Sequence, residues 1–323
     1  MRAAPAIGYR GRVTAYVLRR ILQVLPTAVL AATLVFALVH LVPGDPVEMM
    51  LGEGARSADV EALRRELGLD RPLLEQYAGF MGGLVRGDLG KSLHSGRPVR
   101  EVLAERFPAT AQLAVASLFV ALALSLPLGI VAALHRDGAI DHLARLIALL
   151  GVSLPAFWLG PMLILLFAIE WDLLPVSGRA GFASLVLPAV TLGAGITGLL
   201  TRMVRAALAD ELARPYLLAA RARGLGGGAV VARHALKNAL VPVVTVIGLQ
   251  FGSLLTGAVI TETIFSWPGV GRLLIDSIRL RDYPVVQGGV LLVAFTYLFV
   301  NLLTDVTYAW LDPRIRYAGT TGG

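Results

Sequence analysis

The side chains able to do chemistry are few, and their spacing defeats most of it. The stretch RGDLGKS (86–92) ends like a phosphate-binding loop. That loop requires Gly-x-x-x-x-Gly-Lys-Ser, and the position five before Gly90 holds Val85. The five histidines, His40, His94, His135, His142 and His234, include no pair at i,i+4. Neither His-Glu-x-x-His nor Gly-x-Ser-x-Gly occurs. Cysteine is absent, which removes disulfides and thiolate metal sites. The expectation is a chain with no catalytic, metal or cofactor-binding residue of its own.

Polar groups inside apolar stretches are the next candidates. GLQFGSLLTG (248–257) places Gln250, Ser253 and Thr256 in mid-stretch, beside the small-xxx-small pair Gly248 and Gly252. Two readings stand: a water-lined path carried by the polar residues, or close helix packing through the glycines. Glu262, in AVITETIFSWPGVGRLL, either meets a cationic group of a solute or is hydrated or paired with Arg272. The SWPGVG that follows is turn chemistry.

The third candidate is RARGLGGGAVVARHALKNALVP (221–242), which carries Arg221, Arg223, Arg233 and Lys237 and no carboxylate. Pro215 starts a helix, YLLAARARGL, that the Gly226–Gly228 run is expected to end. In the next helix Val231, Ala235, Leu236 and Ala239 share one side, and Arg233 and Lys237 another. A lipid-surface helix would carry bulky aromatics, and RNA binding would interleave them; only Tyr216 is near. Small residues around a glycine turn suit a short helix that enters a partner's groove, so a protein partner leads.

The elements that position these residues follow from composition. Hydrophobic residues make up 56% of the 323, and charged ones only 16%. Soluble domains carry about 25% charged residues. A bilayer core needs about 20 apolar residues of helix, and six charge-free intervals qualify: 21–44, 107–135, 146–169, 180–201, 238–261 and 283–304. The expected fold is an all-α integral membrane protein with six transmembrane helices. The first interval is too long for a signal peptide and lacks a small-x-small cleavage site before Pro43, so it is read as a retained helix. Pro127, Pro155, Pro161, Pro188 and Pro242 interrupt the spans.

Charge orients the chain. Arg19, Arg20, Arg136, Arg145, Arg202, Arg205 and the basic loop fall on one side. The two short loops of the other side hold only Arg179, Arg272, Arg279 and Arg281. The positive-inside rule then puts both termini in the cytosol. The expected divisions are a cytosolic arm at 1–20, helix 1 at 21–44 and an extracytoplasmic helical segment at 45–106. A five-helix core at 107–311 follows, with a cytosolic loop at 206–238, and then a cytosolic tail at 312–323. The outer segment holds eleven acidic and nine basic residues and reads as a lid, a docking surface or a plain connector. Helices are expected from Ser57 to about Gly68, and from Asp70–Pro72 to about Val85.

The chain resembles the permease subunits of binding-protein-dependent ABC importers, in the dipeptide/oligopeptide/nickel group. The basic loop carries the likeness in AARARGL and RHALKNALVP, with Gly224 at the loop-glycine place and Leu218 where the wider signature has glutamate. LRRIL, LVPGDP, GDLGKS, RFPAT, GVSLPAFWLG, ETIFSWPGVGRLL, RDYPVVQG and LDPRIR extend it over nearly the whole chain. GLGGG departs from the more polar turn usual there.

The resemblance implies a type I ABC importer permease fold in the bacterial inner membrane. It implies a coupling helix at Tyr216, Ala219, Ala220, Arg221, Arg223, Gly224 and Leu225, seated on an ATPase subunit. It also implies a homologous second permease, two ATPases that bind ATP and Mg, an extracytoplasmic binding protein, and no nucleic acid. Peptides are the expected cargo, with nickel chelates, glutathione or another small solute as alternatives. The rival class, a self-sufficient secondary transporter or channel, would want ionisable residues in mid-span, and the spans contain almost none.

Overall fold

The computed structural model describes residues 7–41, 47, 56–66 and 68–311, which are almost wholly helical. In chain order the helices are α1 (Ile7–Leu41), α2 (Ser57–Glu66), α3 (Leu73–Val85), α4 (Val99–Leu134), α5 (Ala139–Ser153) and α6 (Ala156–Leu163). Then come α7 (Phe182–Leu212), α8 (Pro215–Ala222), α9 (Gly227–Val230), α10 (Leu236–Ile264), α11 (Val270–Arg279) and α12 (Tyr283–Leu311). Two π-helical stretches, Ile164–Glu170 and Val231–Ala235, continue α6 and α9.

Five runs are long and apolar enough to cross a bilayer: Arg20–Leu38, Val99–Leu134, Phe182–Leu212, Gly227–Ile264 and Tyr283–Thr307. The interval 146–169, where prolines are expected to interrupt the span, is broken: α5 and the α6 segment meet at a bend of 100°. Pro155 causes the break. Its ring drives the preceding Leu154 out of the helical region, to φ −86 and ψ 114. The other prolines expected to interrupt spans, Pro127, Pro161, Pro188 and Pro242, are absorbed inside helices.

The bent pair still traverses the bundle. Asp141 meets Arg205, Ala148 abuts Gly198, Gly151 faces Ala194 and Gly160 faces Thr191. Ala168 then packs with Leu187. The contacts retreat along α7 from 205 to 187, about 27 Å of helix at ~1.5 Å per residue.

α7 is the central helix. Leu192 and Leu200 share a core with Leu113 of α4, Leu254 of α10 and the fully buried Trp267. Two glycines set how close its neighbours come. A Cβ on Gly193 would strike the Ser117 carbonyl, and one on Gly198 the Ala148 carbonyl.

The bundle has a basic end, with Arg136, Arg145, Arg205 and the α8–α9 segment, and a far end, with α2, α3 and α11. α1 joins the basic end through Arg20, 3.3 Å from Asp305. It is helical from Ile7, so helix extends into the expected arm. At the far end α2 and α3 occupy the two places expected from Ser57 and Pro72. Tyr77 of α3 stacks edge-on against Phe36 at 5.3 Å and hydrogen-bonds Thr33 at 2.8 Å. α3 is therefore docked on α1 and is not a free lid. The expected LVPGDP segment and the closing LDPRIR lie largely outside the described residues.

Candidate functional site

The segment joining α7 to α10 is built from local chemistry. Arg214 is extended (ψ 136), and Pro215, lacking an N–H that a first turn would leave unpaired anyway, opens α8. α8 stops at Ala222, and Gly224 takes φ +84, a conformation that side chains strain to adopt. The expectation that Gly226–Gly228 ends this helix is corrected. Gly224 ends it, and Gly226 precedes the first turn of α9. From there the chain runs through the π-helical stretch directly into α10.

The segment lies on an apolar seat. Leu217 and Ala220 are buried with Leu208 and Ala209 of α7, Ala133 of α4, and Val230, Ala235 and Ala239. Of the residues expected to form the coupling face, Tyr216, Ala219, Arg221, Arg223 and Gly224 are exposed. Leu225 is half-buried, and Ala220 belongs to the seat, not the face. Leu218 adds an exposed apolar tip, 64% accessible. Arg233 and Lys237 point outward, as their shared side predicts.

A hydrogen-bonded group at the root of this segment lay beyond the reach of sequence reasoning. The Tyr216 hydroxyl donates to Glu211 Oε1 at 2.7 Å, and Asn238 Nδ2 donates to Tyr216 Oη at 2.9 Å. Partial desolvation, reinforced by the Glu211 bond, holds the phenol above its ordinary value, so the hydroxyl keeps its proton. Only the HALKNAL likeness signals Asn238; nothing in the spacing signals Glu211.

On α10 the two readings of GLQFGSLLTG divide by face. Gly248 and Gly252 face Thr304 and Tyr297 of α12 so closely that a Cβ on either would overlap them. Ser253 and Thr256 lie on an adjoining, exposed face with Leu249, Gly257 and Ile260, and Gln250 is half-buried. The glycines pack, and the two hydroxyl residues remain available to line a path.

Glu262 is a correction. Proposed as pathway-lining, it is fully buried. It accepts from Thr110 Oγ1 at 2.6 Å and from the Arg272 amide at 3.0 Å. The expected pairing with Arg272 is through that backbone N–H, because the guanidinium donates instead to the Ser266 carbonyl at 2.8 Å. The carboxylate thus caps the N-terminus of α11, where unpaired amides favour negative charge. Trp267 locks the same turn, its Nε1 donating to the Ala109 carbonyl at 2.8 Å. Among the described residues no group of three or more His, Asp or Glu could hold a metal ion.

Comparison with known proteins agrees with this architecture. The family described as "Binding-protein-dependent transport system inner membrane component" matches residues 125–317, and its N-terminal companion matches residues 13–114. The dipeptide transport system permease protein DppB of Escherichia coli (strain K12) is 45% identical, covering 94% of this chain and 98% of that one. The glutathione transport system permease protein GsiC of Pectobacterium atrosepticum is 43% identical, with 94% and 99% covered. A chain of the MetNI methionine ABC transporter, inward-facing, superposes with a TM-score of 0.55 at 20% identity, over 65% of this chain and 96% of that one. That likeness establishes a shared type I permease fold. The chain belongs to the family of inner-membrane components of binding-protein-dependent transport systems.

Proposed function

We propose that this chain is one permease subunit of an ATP-driven importer and forms half of a translocation pathway for peptides. A homologous permease completes the pathway, two ATPases bind ATP and Mg on the cytosolic side, and an extracytoplasmic binding protein delivers cargo. The chain holds no cofactor of its own. The basic end faces the cytosol, with both termini, and residues 45–106 form part of the binding-protein platform. Near-full-length identity to a dipeptide permease carries the reading. The equally full-length glutathione relative is compatible, since glutathione is itself a tripeptide.

The exposed face of α8 is where the ATPase contact belongs. It combines small residues, cations and the Leu218 tip over a seat shared with α4, α7 and α10. A ligand shifts an equilibrium only through differential contacts, so closure of the ATPases must act through this face to move the spans. Gly224→Asp or Arg223→Glu should leave insertion intact and abolish substrate stimulation of ATP hydrolysis in the purified complex. Normal stimulation in both variants would refute the assignment. Gradient-driven uptake by the chain alone would instead favour a secondary transporter.

A further inference from the structure

Glu211, Tyr216 and Asn238 come from three helices and meet in one group. Glu211 lies in the last turn of α7, Tyr216 in the first turn of α8 and Asn238 in the first turn of α10. Beyond the two short bonds already described, Asn238 Nδ2 reaches Glu211 Oε1 at 3.3 Å. Arg214 Nε lies 3.4 Å from the second Glu211 oxygen. The phenolic oxygen both donates and accepts, a pairing that phenylalanine cannot reproduce.

Apart from these bonds and a longer one from the Tyr216 hydroxyl to the His234 carbonyl at 3.3 Å, the contacts beneath the segment are apolar among the described residues. Its seat is alanine, valine and leucine, and apolar contact resists sliding weakly. Its exit is the π-helical Val231–Ala235, where His234 Nδ1 is buried without a partner. π-helical insertions of this kind are places where helices kink. Hydrogen bonds from a phenol and an amide to one side-chain oxygen, by contrast, fix both distance and angle.

We propose that Glu211, Tyr216 and Asn238 form a clasp that holds α8 at a fixed angle between α7 and α10. A push on the α8 face then reaches both helices together and is not absorbed by the loop. The three are positioning residues. This rests on the reading of 215–225 as the ATPase contact, and it moves Tyr216 from that contact to its support.

The test uses the complete transporter in lipid nanodiscs, with two readouts. These are amide hydrogen exchange over 217–225 and the ratio of substrate-stimulated to basal ATP hydrolysis. Tyr216→Phe, Glu211→Ala and Asn238→Ala should raise exchange and lower the ratio by about fivefold or more. Glu211→Gln keeps both acceptor bonds and should restore the ratio. Unchanged exchange and ratio in Tyr216→Phe and Asn238→Ala overturn the clasp, as does a Glu211→Gln complex as defective as Glu211→Ala. Should the alanine variants fail to assemble, Tyr216→Phe, which removes one oxygen atom, decides alone. A Leu218→Cys cross-link to the ATPase separates the two claims. Its absence in an active transporter refutes the contact itself; its formation together with an unchanged ratio refutes the clasp alone.

Discussion

Arg205 grips the carboxylate of Asp141 at two points, Nε to Oδ1 at 2.6 Å and Nη2 to Oδ2 at 2.5 Å. Asp141 is fully buried, accepts the Asp137 amide at 3.0 Å and has Arg145 Nε at 3.3 Å. The pair ties the first turn of α5 to α7, one turn from the Leu208–Ala209 part of the coupling seat. Any displacement of α7 at Arg205 would therefore be shared by the start of α5.

A buried ion pair is costly to break from one side only. Arg205→Met should destabilise the chain by about 3 kcal/mol or more, because the Asp141 carboxylate keeps its burial and loses its two-point partner. Asp141→Leu combined with Arg205→Met should recover most of that loss, since the buried carboxylate, left with Arg145 as its only cation, is gone. Thermal unfolding of these two variants and of Asp141→Leu alone, in one detergent, checks the cycle. Equal losses in the single and double variants would mean that the pair stabilises the fold as such.

This pair also marks what the sequence could and could not carry. The spans were legible because lipid forbids charge over long intervals, and 107–135, 180–201 and 238–261 are empty of it. Pro155 was visible as one of several prolines, but only tertiary packing tells a proline that breaks a span from Pro127 or Pro188, which helices absorb. Arg205 and Asp141 lie 64 positions apart, so Arg205 reads only as topology charge and nothing near it in the chain points to Asp141. The two readings of Glu262 could not be separated in the sequence for a like reason. Its hydroxyl donor, Thr110, is 152 positions away, so the sequence displayed a lone carboxylate at a membrane edge.

The assignment of Glu262 as a cap makes a prediction that a solute-binding role does not. Glu262→Ala leaves the Arg272 amide and the Thr110 hydroxyl without their acceptor, at a cost of about 3 kcal/mol or more. Tm should fall, and residual transport should keep its KM for substrate while its maximal rate drops with the amount of folded protein. A raised KM at unchanged Tm would return Glu262 to the pathway.

The two faces of α10 can be told apart chemically, because the chain has no native cysteine. Ser253→Cys and Thr256→Cys should react with a membrane-impermeant thiol reagent in the assembled transporter, at rates that change when ATP is trapped. Gly257→Cys, on the same exposed face, should follow them. Equal inertness at all three positions would assign this face to packing against the second permease or to lipid, and not to an aqueous path.

Asp282 offers a handle on the far end. Its carboxylate, almost fully buried, accepts from Ser92 Oγ at 2.5 Å and from the Leu93 and His94 amides at 3.1 and 3.4 Å. It thereby anchors the 86–98 loop to the start of α12, while Lys91, His94 and Arg97 remain outward. Asp282→Ala removes the only acceptor described for the Ser92 hydroxyl and the Leu93 amide, and bonds to an ionised group are worth about 1.5–3 kcal/mol each. The loop should loosen without unfolding the bundle, since the core around Leu113 and Leu200 is elsewhere. If the platform assignment is right, affinity for the binding protein falls by about tenfold, as the loop must be re-ordered on docking. Basal ATP hydrolysis, which depends on the opposite end, stays at its wild-type rate. Binding-protein titration against the reconstituted complex, with hydrogen exchange across 89–97, measures both. Faster exchange with undiminished affinity would remove this loop from the platform.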